Sequence, residues 1–386
     1  MTTLLIFIAV LAVLVLSHEF GHFIAAKKSG MRVYEFGFGF PPRAFGWYRD
    51  PATKKFKFVS GKFDREQAPA TVYSVNWLPL GGFVQIKGEN DAGDIASDSF
   101  AAQKTWKRAV ALAAGVLMNI LVAMILLSVG YMMGLPQATN DMESVDNVKD
   151  RRTEIVQVIA GKPAAIAGLV SGDVILSVGD IANPRLVELQ KYVNDHQTEE
   201  VVVTIKRGEE VFTKNIKPAI YPETGKAGLG VGIAEVGTVK YPWYKAIYYG
   251  VTDTFWYLKE ILIAFYSLIV GFFAGAGAGD AVSGPVGIAV MTGKVARLGF
   301  AYLIQFTAML SLNLAIFNIL PLPALDGGRL LFLAIGKIKG KPVNQKVEQI
   351  IHSVGFTLLL LLVLAVTVKD LSSFRGAFVN LVNKIF

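Results

Sequence analysis

Four long apolar runs decide what this chain can fold into: Thr3–Ala26, Ala109–Met133, Phe300–Leu320 and Ile351–Val368. The first includes the stretch Leu4–Leu16, which has no polar side chain at all. The hydrocarbon core of a bilayer takes about 20 apolar residues of helix. Helices apolar all round, as these would be, belong in a large core or in lipid. Of the 386 residues, 53% are hydrophobic and 18% charged, against about a quarter charged in a typical soluble chain. A fifth run, Phe255–Phe273, is ambiguous. The chain reads as a multi-pass α-helical membrane protein with about four transmembrane helices.

The net charge of +8 needs no nucleic acid to explain it. Lys27, Lys28, Arg32, Arg43 and Arg49 follow the first run, Lys104, Lys107 and Arg108 precede the second, and Arg329, Lys337, Lys339 and Lys341 follow the third. Loops rich in Lys and Arg stay cytoplasmic. The first span then runs outside to inside and the second returns, leaving residues 28–108 as a cytoplasmic loop. The positive charges follow the first run, and no basic segment precedes it. That order predicts a retained span and not a cleaved signal peptide. With no cysteine, disulfides and thiolate chemistry are excluded.

Two segments are β-rich. Within 28–108, "KKFKFVSGKF" alternates basic and aromatic residues, and "WLPLGGFVQIKGE", Trp77 to Glu89, suits a hairpin lying against the membrane. Residues 140–218 read as a separate domain. "RLVELQKYV" places Leu186, Leu189 and Val193 on one helical face, and "VVVTIKRGEEVFTKNI" is a hairpin. "PAAIAGLVSGD" followed by "ILSVGD" resembles the core of a bacterial PDZ domain. PDZ domains bind extended peptides by adding a strand to a sheet edge; the alternative is a β-rich spacer.

At the inner end of the first run stands "LSHEFGHF". His18 and His22 are one helical turn apart on the same face. That spacing suits two imidazole ligands of one zinc ion, with Glu19 placed to accept a proton from water beside it. Ionisable groups at such a place are costly and usually functional. A catalytic zinc takes three protein ligands as a rule. The chain has only two other histidines: His196 lies in the 140–218 domain, and His352 stands one residue into the last run without a partner motif. A carboxylate from the same side fits better. "NILPLPALDGGRL" offers Asp326 just after the third run, with Pro321 and Pro323 to stop the helix and Gly327-Gly328 to turn the backbone.

"HEFGH" together with "NILPLPALDG" resembles the site-2 protease family of intramembrane zinc metalloproteases, in its bacterial regulator-of-sigma-E protease subgroup. The resemblance runs through nearly the whole chain, including "SGPVGIA" at Ser283–Ala289. It implies one zinc ion per chain held by His18, His22 and Asp326, with Glu19 as general base. It also implies that Asn318, and Gly37 and Gly39 of "FGFG", contact substrate. The implied substrates are single-span membrane proteins of the anti-sigma-factor or remnant-signal-peptide type. The implied location is the bacterial inner membrane, with the PDZ domain periplasmic and the active site near the cytoplasmic side. Two features depart from the pattern. Val116 stands where the family often has proline, although Gly115 and Asn119 remain, and one PDZ domain is present where well-known members have two.

Topology supplies a separate constraint. Asp326 meets the histidines only if the third span runs inward, so Phe255–Phe273 must be interfacial or re-entrant. The expected order is a first span over 1–27, the β-rich loop over 28–108, a second span over 109–133 and the PDZ domain over 140–218. An interfacial or re-entrant segment over 240–299 follows, then the third span with the Asp326 motif over 300–330. A fourth span over 351–368 and an amphipathic tail over 369–386 complete it. A membrane-anchored PDZ scaffold with a vestigial site, and a metal transporter, are the competing classes. The complete His-Glu-His-Asp set argues against the first. The scarcity of polar residues in the second to fourth spans argues against the second.

Overall fold

Helix α1, Thr2–Lys28, grows from the first apolar run, and its buried residues Val10, Leu14, His18, Gly21, His22 and Ala26 recur every three or four positions. They form one stripe of a 3.6-residue helix, while Leu5 and Val13 on other sides are exposed. The helix stops at Gly30, whose φ is +84°. Met31 N bonds Ala26 O at 2.9 Å and Gly30 N bonds Lys27 O at 3.1 Å. This doubly bonded C-terminal cap favours a residue without a Cβ. The computed structural model describes residues 2–61, 63–89, 94, 96–138, 148–221, 225–274 and 283–373.

The chain divides into two units: Met1–Leu127, Gly250–Ala296 and Phe306–Phe386 make the first, and Ser128–Tyr249 with Arg297–Gln305 the second. In the first unit, α1 is followed by antiparallel strands β1 (Val33–Arg49), β2 (Phe56–Val59) and β3 (Val72–Ile86), in sheet order β2-β1-β3. Strand β3 folds around the start of β1: Phe36 pairs with both Tyr73 and Val84, and Gly37 with both Ser74 and Phe83. The second half of β3, Gly82–Ile86, pairs with β1 along one side; among the described residues no strand lies on its other side. Glu35, 1% exposed, anchors the sheet through Arg43 Nη2 at 2.7 Å and Arg65 Nη1 at 3.1 Å. Burial alone would raise its pKa, but the bonds from Arg43 and Arg65 outweigh that and hold it below the usual value.

Helix α2, Thr105–Met133, is unbroken through Val116. After the second unit's strands come α5 (Trp243–Phe273), α6 (Pro285–Leu298), α7 (Phe300–Ile319), α8 (Asp326–Ile338) and α9 (Gln345–Ser373). By length and composition five helices among the described residues could cross a membrane: α1, α2, α5, α7 and α9. The run Phe255–Phe273 thus belongs to one continuous helix that starts earlier, at Trp243. The stretch expected as an amphipathic tail lies outside the described residues from 374 onward.

The second unit is a sheet ordered β4-β12-β5-β6-β8-β9, with β7 paired to β6. Its elements are β4 (Leu135–Ala138), β5 (Val148–Val158), α3 (Pro163–Ile166), β6 (Val174–Val178), β7 (Ile181–Ala182), α4 (Leu186–Asp195), β8 (Val201–Arg207), β9 (Glu210–Ile216), β10 (Ala219–Tyr221), β11 (Lys226–Gly228) and β12 (Val231–Val239). Val201, Val203 and Ile205 alternate inward along β8 and meet Ile155, Val178 and, from α4, Leu189 and Val193. The sheet extends past residue 218, because β12 inserts between β4 and β5. The first residues of α7 belong here too: Tyr302 donates to Glu154 Oε2 at 3.0 Å and accepts from Arg152 at 2.7 Å.

Candidate metal centre

The stripe of α1 that carries His18 and His22 is covered by α2, and two glycines make this possible. A Cβ on Gly21 would lie 2.3 Å from Ala114 O, and one on Gly115 would lie 2.4 Å from His22 Nε2 and 2.7 Å from His18 Cε1. Both distances are far inside contact. Gly21 lets the helices cross closely, and Gly115 leaves room for the two imidazoles.

Helix α2 also orients the rings. His22 Nδ1 stands 2.8 Å from Ala111 O. A carbonyl only accepts, so Nδ1 carries a proton, and in the neutral ring Nε2 is then the lone pair. His18 Nδ1 stands 3.2 Å from the amide of Asn119, which is 0% exposed. A ring that offers Nε2 to a cation keeps its proton on Nδ1. Asn119, whose Nδ2 is the atom facing that ring, would then turn its amide over and meet it through Oδ1, an oxygen otherwise buried without a partner. Ser311 of α7 in turn bonds Asn119 O at 2.8 Å.

Asp326 arrives on the first residue of α8. The turn before it is tight: a Cβ on Gly327 would lie 2.2 Å from Leu320 O, and one on Gly328 the same distance from Leu322 O. These two glycines let α8 fold back on the end of α7. Asp326 Oδ2 is thereby brought to 3.0 Å from His18 Nε2 and 3.3 Å from His22 Nε2, and the two Nε2 atoms are 3.1 Å apart. Oδ2 is buried without a hydrogen-bond donor. With both imidazoles neutral and protonated on Nδ1, three acceptors face one another here and repel unless a cation lies among them. Tetrahedral zinc with bonds of about 2.0–2.1 Å separates its ligands by about 3.3 Å. The site residues therefore fit a zinc ion, and His18, His22 and Asp326 are the ones that could hold it.

Glu19, one residue on, is rotated about 100° from the histidine face. It lies against β3: a Cβ on Gly82 would be 3.4 Å from Glu19 Cγ, and the Val84 backbone hydrogen-bonds its carboxylate. Gly37 and Gly39 sit where the sheet is crowded. A Cβ on Gly37 would be 2.5 Å from the Phe83 ring, and Gly39, with φ +80°, would strike Leu78 O at 2.5 Å. Asn318 occupies the last turn of α7 and is partly exposed. His196 pairs with Tyr192 in the second unit, with Nδ1 2.9 Å from Tyr192 O.

The fold and site together define a helical protein with a His-His-Asp cluster that could hold a metal ion, beside a glutamate and a sheet edge. Peptidase family M50 matches residues 6–61 and 53–362, and the chain belongs to that family, the site-2 proteases. A Clostridium perfringens protein assigned by name to the zinc metalloproteases is 32% identical, with 93% of this chain and 95% of that protein covered. The Bacillus subtilis regulator of sigma-W protease RasP is 28% identical over 96% of this chain and 98% of its own. The zinc metalloprotease RasP of Geobacillus kaustophilus is 28% identical over 95% and 97%. Among solved structures, the PDZ domain of an SdrC-like protein from Listeria monocytogenes aligns with 23% of this chain and 90% of its own, at 23% identity and TM-score 0.20.

Sequence reasoning passed over two residues that the structure brings to the site. Asn119 reads as an ordinary interhelical hydrogen-bonder until its partner is known to be His18. His352 has no motif at all, since its partner is a main-chain amide, described below.

Proposed function

We propose that this chain is an intramembrane zinc metalloprotease that hydrolyses peptide bonds in single-span membrane proteins. One zinc ion per chain would be held by His18, His22 and Asp326. The observation that carries the reading is the convergence of two imidazole Nε2 atoms and one carboxylate oxygen within 3.0–3.3 Å of one another. When bound, zinc supplies Lewis acidity, lowering the pKa of a water and polarising the scissile carbonyl.

The rest of the chemistry falls to the chain's own residues. Glu19 takes a proton from the attacking water at its carboxylate and returns it to the leaving nitrogen. The Ala111 carbonyl and Asn119 hold both imidazoles in the tautomer that presents Nε2. A helical substrate hides its carbonyls, so it must be drawn out before cleavage. The free side of Gly82–Ile86, next to Glu19, offers a sheet edge on which an extended segment can pair. Gly37 and Gly39 keep that sheet narrow there, and Asn318 would serve the substrate backbone.

The proposed location is a bacterial inner membrane, with the PDZ-like unit outside, open to extended peptides, and the site toward the cytoplasm. Helices α1 and α2 are antiparallel, since His18 faces Asn119 and His22 faces Ala111. Tyr249 in α5 packs on Tyr131 near the end of α2, and Gly293 of α6 meets Thr3 at the start of α1. The basic residues after Asp326 stay inside only if the chain makes no net crossing between α2 and α7. Helix α5 is then re-entrant or interfacial, and α1, α2, α7 and α9 are the four crossings. The Bacillus subtilis relative named regulator of sigma-W protease supports substrates of the anti-sigma-factor type.

The test is Glu19→Gln in the full-length protein purified in detergent, with zinc and cleavage of a tagged single-span substrate measured together. Zinc should stay and the rate should fall by at least the roughly 10²–10⁴-fold of a lost general base. Cleavage near the wild-type rate would remove Glu19 from the mechanism.

A further inference from the structure

We propose that His352 is a positioning residue for the Asp326 carboxylate, an inference that rests on Asp326 being a metal ligand. His352 stands in the second turn of α9, its side chain 17% exposed. Its Nδ1 lies 2.8 Å from the backbone N of Ala324. An amide N–H can only donate, so Nδ1 accepts and the ring proton sits on Nε2, which faces Glu348 Oε1 at 4.0 Å.

Ala324 is the residue that needs holding. Its φ is +70°, a left-handed conformation that is strained for a residue with a Cβ. The bond to His352 ties down this strained residue two positions before Asp326. Its neighbours offer little help, because Pro321 and Pro323 have no N–H to give.

The surroundings close on the same point. A Cβ on Gly355, one turn beyond His352, would lie 2.2 Å from Pro323 Cβ, so α9 presses directly on the turn. On the other side a Cβ on Gly328 would be 3.4 Å from His352 Cε1, and the Phe332 ring of α8 lies 5.5 Å from the imidazole, centroid to centroid. The imidazole thus fills the angle between the proline turn and the first turns of α8. Asp326 is the residue at which the two meet.

Leverage makes the bond matter. Two residues of chain reach up to about 7 Å. A 10° relaxation at Ala324 would swing the carboxylate by about 1.2 Å on that arm, beyond the roughly 0.5 Å a metal site tolerates. A leucine at 352 would fill the space but orphan the Ala324 N–H, and an unpaired amide in an apolar setting is destabilising. Outer partners of metal ligands typically contribute about 10–100-fold in metal affinity.

Acceptor geometry separates positioning from bulk. In His352→Asn the amide Oδ1 takes the place of Nδ1, two bonds from Cβ. In His352→Gln the nearest acceptor falls at the Nε2 place instead. The experiment measures zinc retention against a chelator, and cleavage of a tagged single-span substrate, in full-length protein in detergent. His352→Ala and His352→Gln should each lose about 10–100-fold in zinc affinity and cleave correspondingly more slowly. His352→Asn should stay within about threefold of wild type, a rescue that packing alone would not produce. Equal impairment of the Asn and Gln variants, or wild-type zinc affinity in His352→Ala, would overturn the assignment. Asp326→Ala in the same assay keeps the two readings apart. If it retains zinc, the ligand reading itself fails. If it loses zinc while His352→Ala does not, the ligand reading stands and only His352 loses its role.

Discussion

In the β-rich unit Ile155, Val178, Val203 and Ile205 are sealed from solvent, and Lys206 and Glu209 stand outside. In the helical unit Asn119 and Ser311 are as enclosed as Leu127 and Leu312, and His18 and His22 are buried too, while Leu358 to Leu364 of α9 are all exposed. The two units answer to different solvents. Water drives apolar side chains inward, so the β-rich unit reads as an ordinary alternating sheet with a core. Lipid gives leucine no reason to hide, and helices there are held by close approach of small residues and by hydrogen bonds. Gly21, Gly115, Asn119 and Ser311 are that kind of contact. His18, His22 and Asp326 stand among those contacts.

This contrast can be broken by substitution. The largest effect should come from Asp326→Ala, which removes one of three converging acceptors. Elemental analysis should find the purified protein without zinc, and full occupancy would remove Asp326 from the ligand set. Gly115→Val comes next. It keeps the site's chemistry but drives a side chain into the space of both imidazoles, so zinc content should fall severalfold or more; a fully loaded variant would show that α2 can move aside. Ile205→Ala tests the other unit. A cavity in a dry core should destabilise that unit by about 2–5 kcal/mol, read by thermal unfolding, while zinc content stays unchanged. The smallest effect belongs to Leu360→Ala, on the exposed middle of α9. It should shift stability by less than about 0.5 kcal/mol, and a loss comparable to Ile205→Ala would mean that this leucine is packed against protein.

How much of this was legible followed the same divide. The span runs, the i,i+4 histidines and the alternating β8 pattern are periodic, so they show in the sequence. Asp326 showed because prolines and paired glycines mark an abrupt turn. The double pairing of β3 around β1 was not legible, since it depends on which strands meet and not on the pattern within either. Helix α5 starts well before the apolar run because Trp243–Thr254 mixes aromatic and polar residues that hydropathy discounts. His352 stayed invisible for a simpler reason: an imidazole that accepts from a main-chain amide has a partner with no residue type.

Helix α9 is gripped at its two ends. Near its start His352 and Gly355 hold Pro323 and Ala324; near its finish Asp370 accepts from Gly287 N at 2.7 Å and Val366 touches Gly284. The stretch between is exposed on every side. For the history of such a sequence this means uneven freedom. Leu358 to Leu364 can drift among apolar residues of any shape, provided their number is kept, because length is all the ends require of them. His352, Gly355 and Asp370 have no such latitude, and a lineage that varied the middle for a long time would still carry the same two clasps.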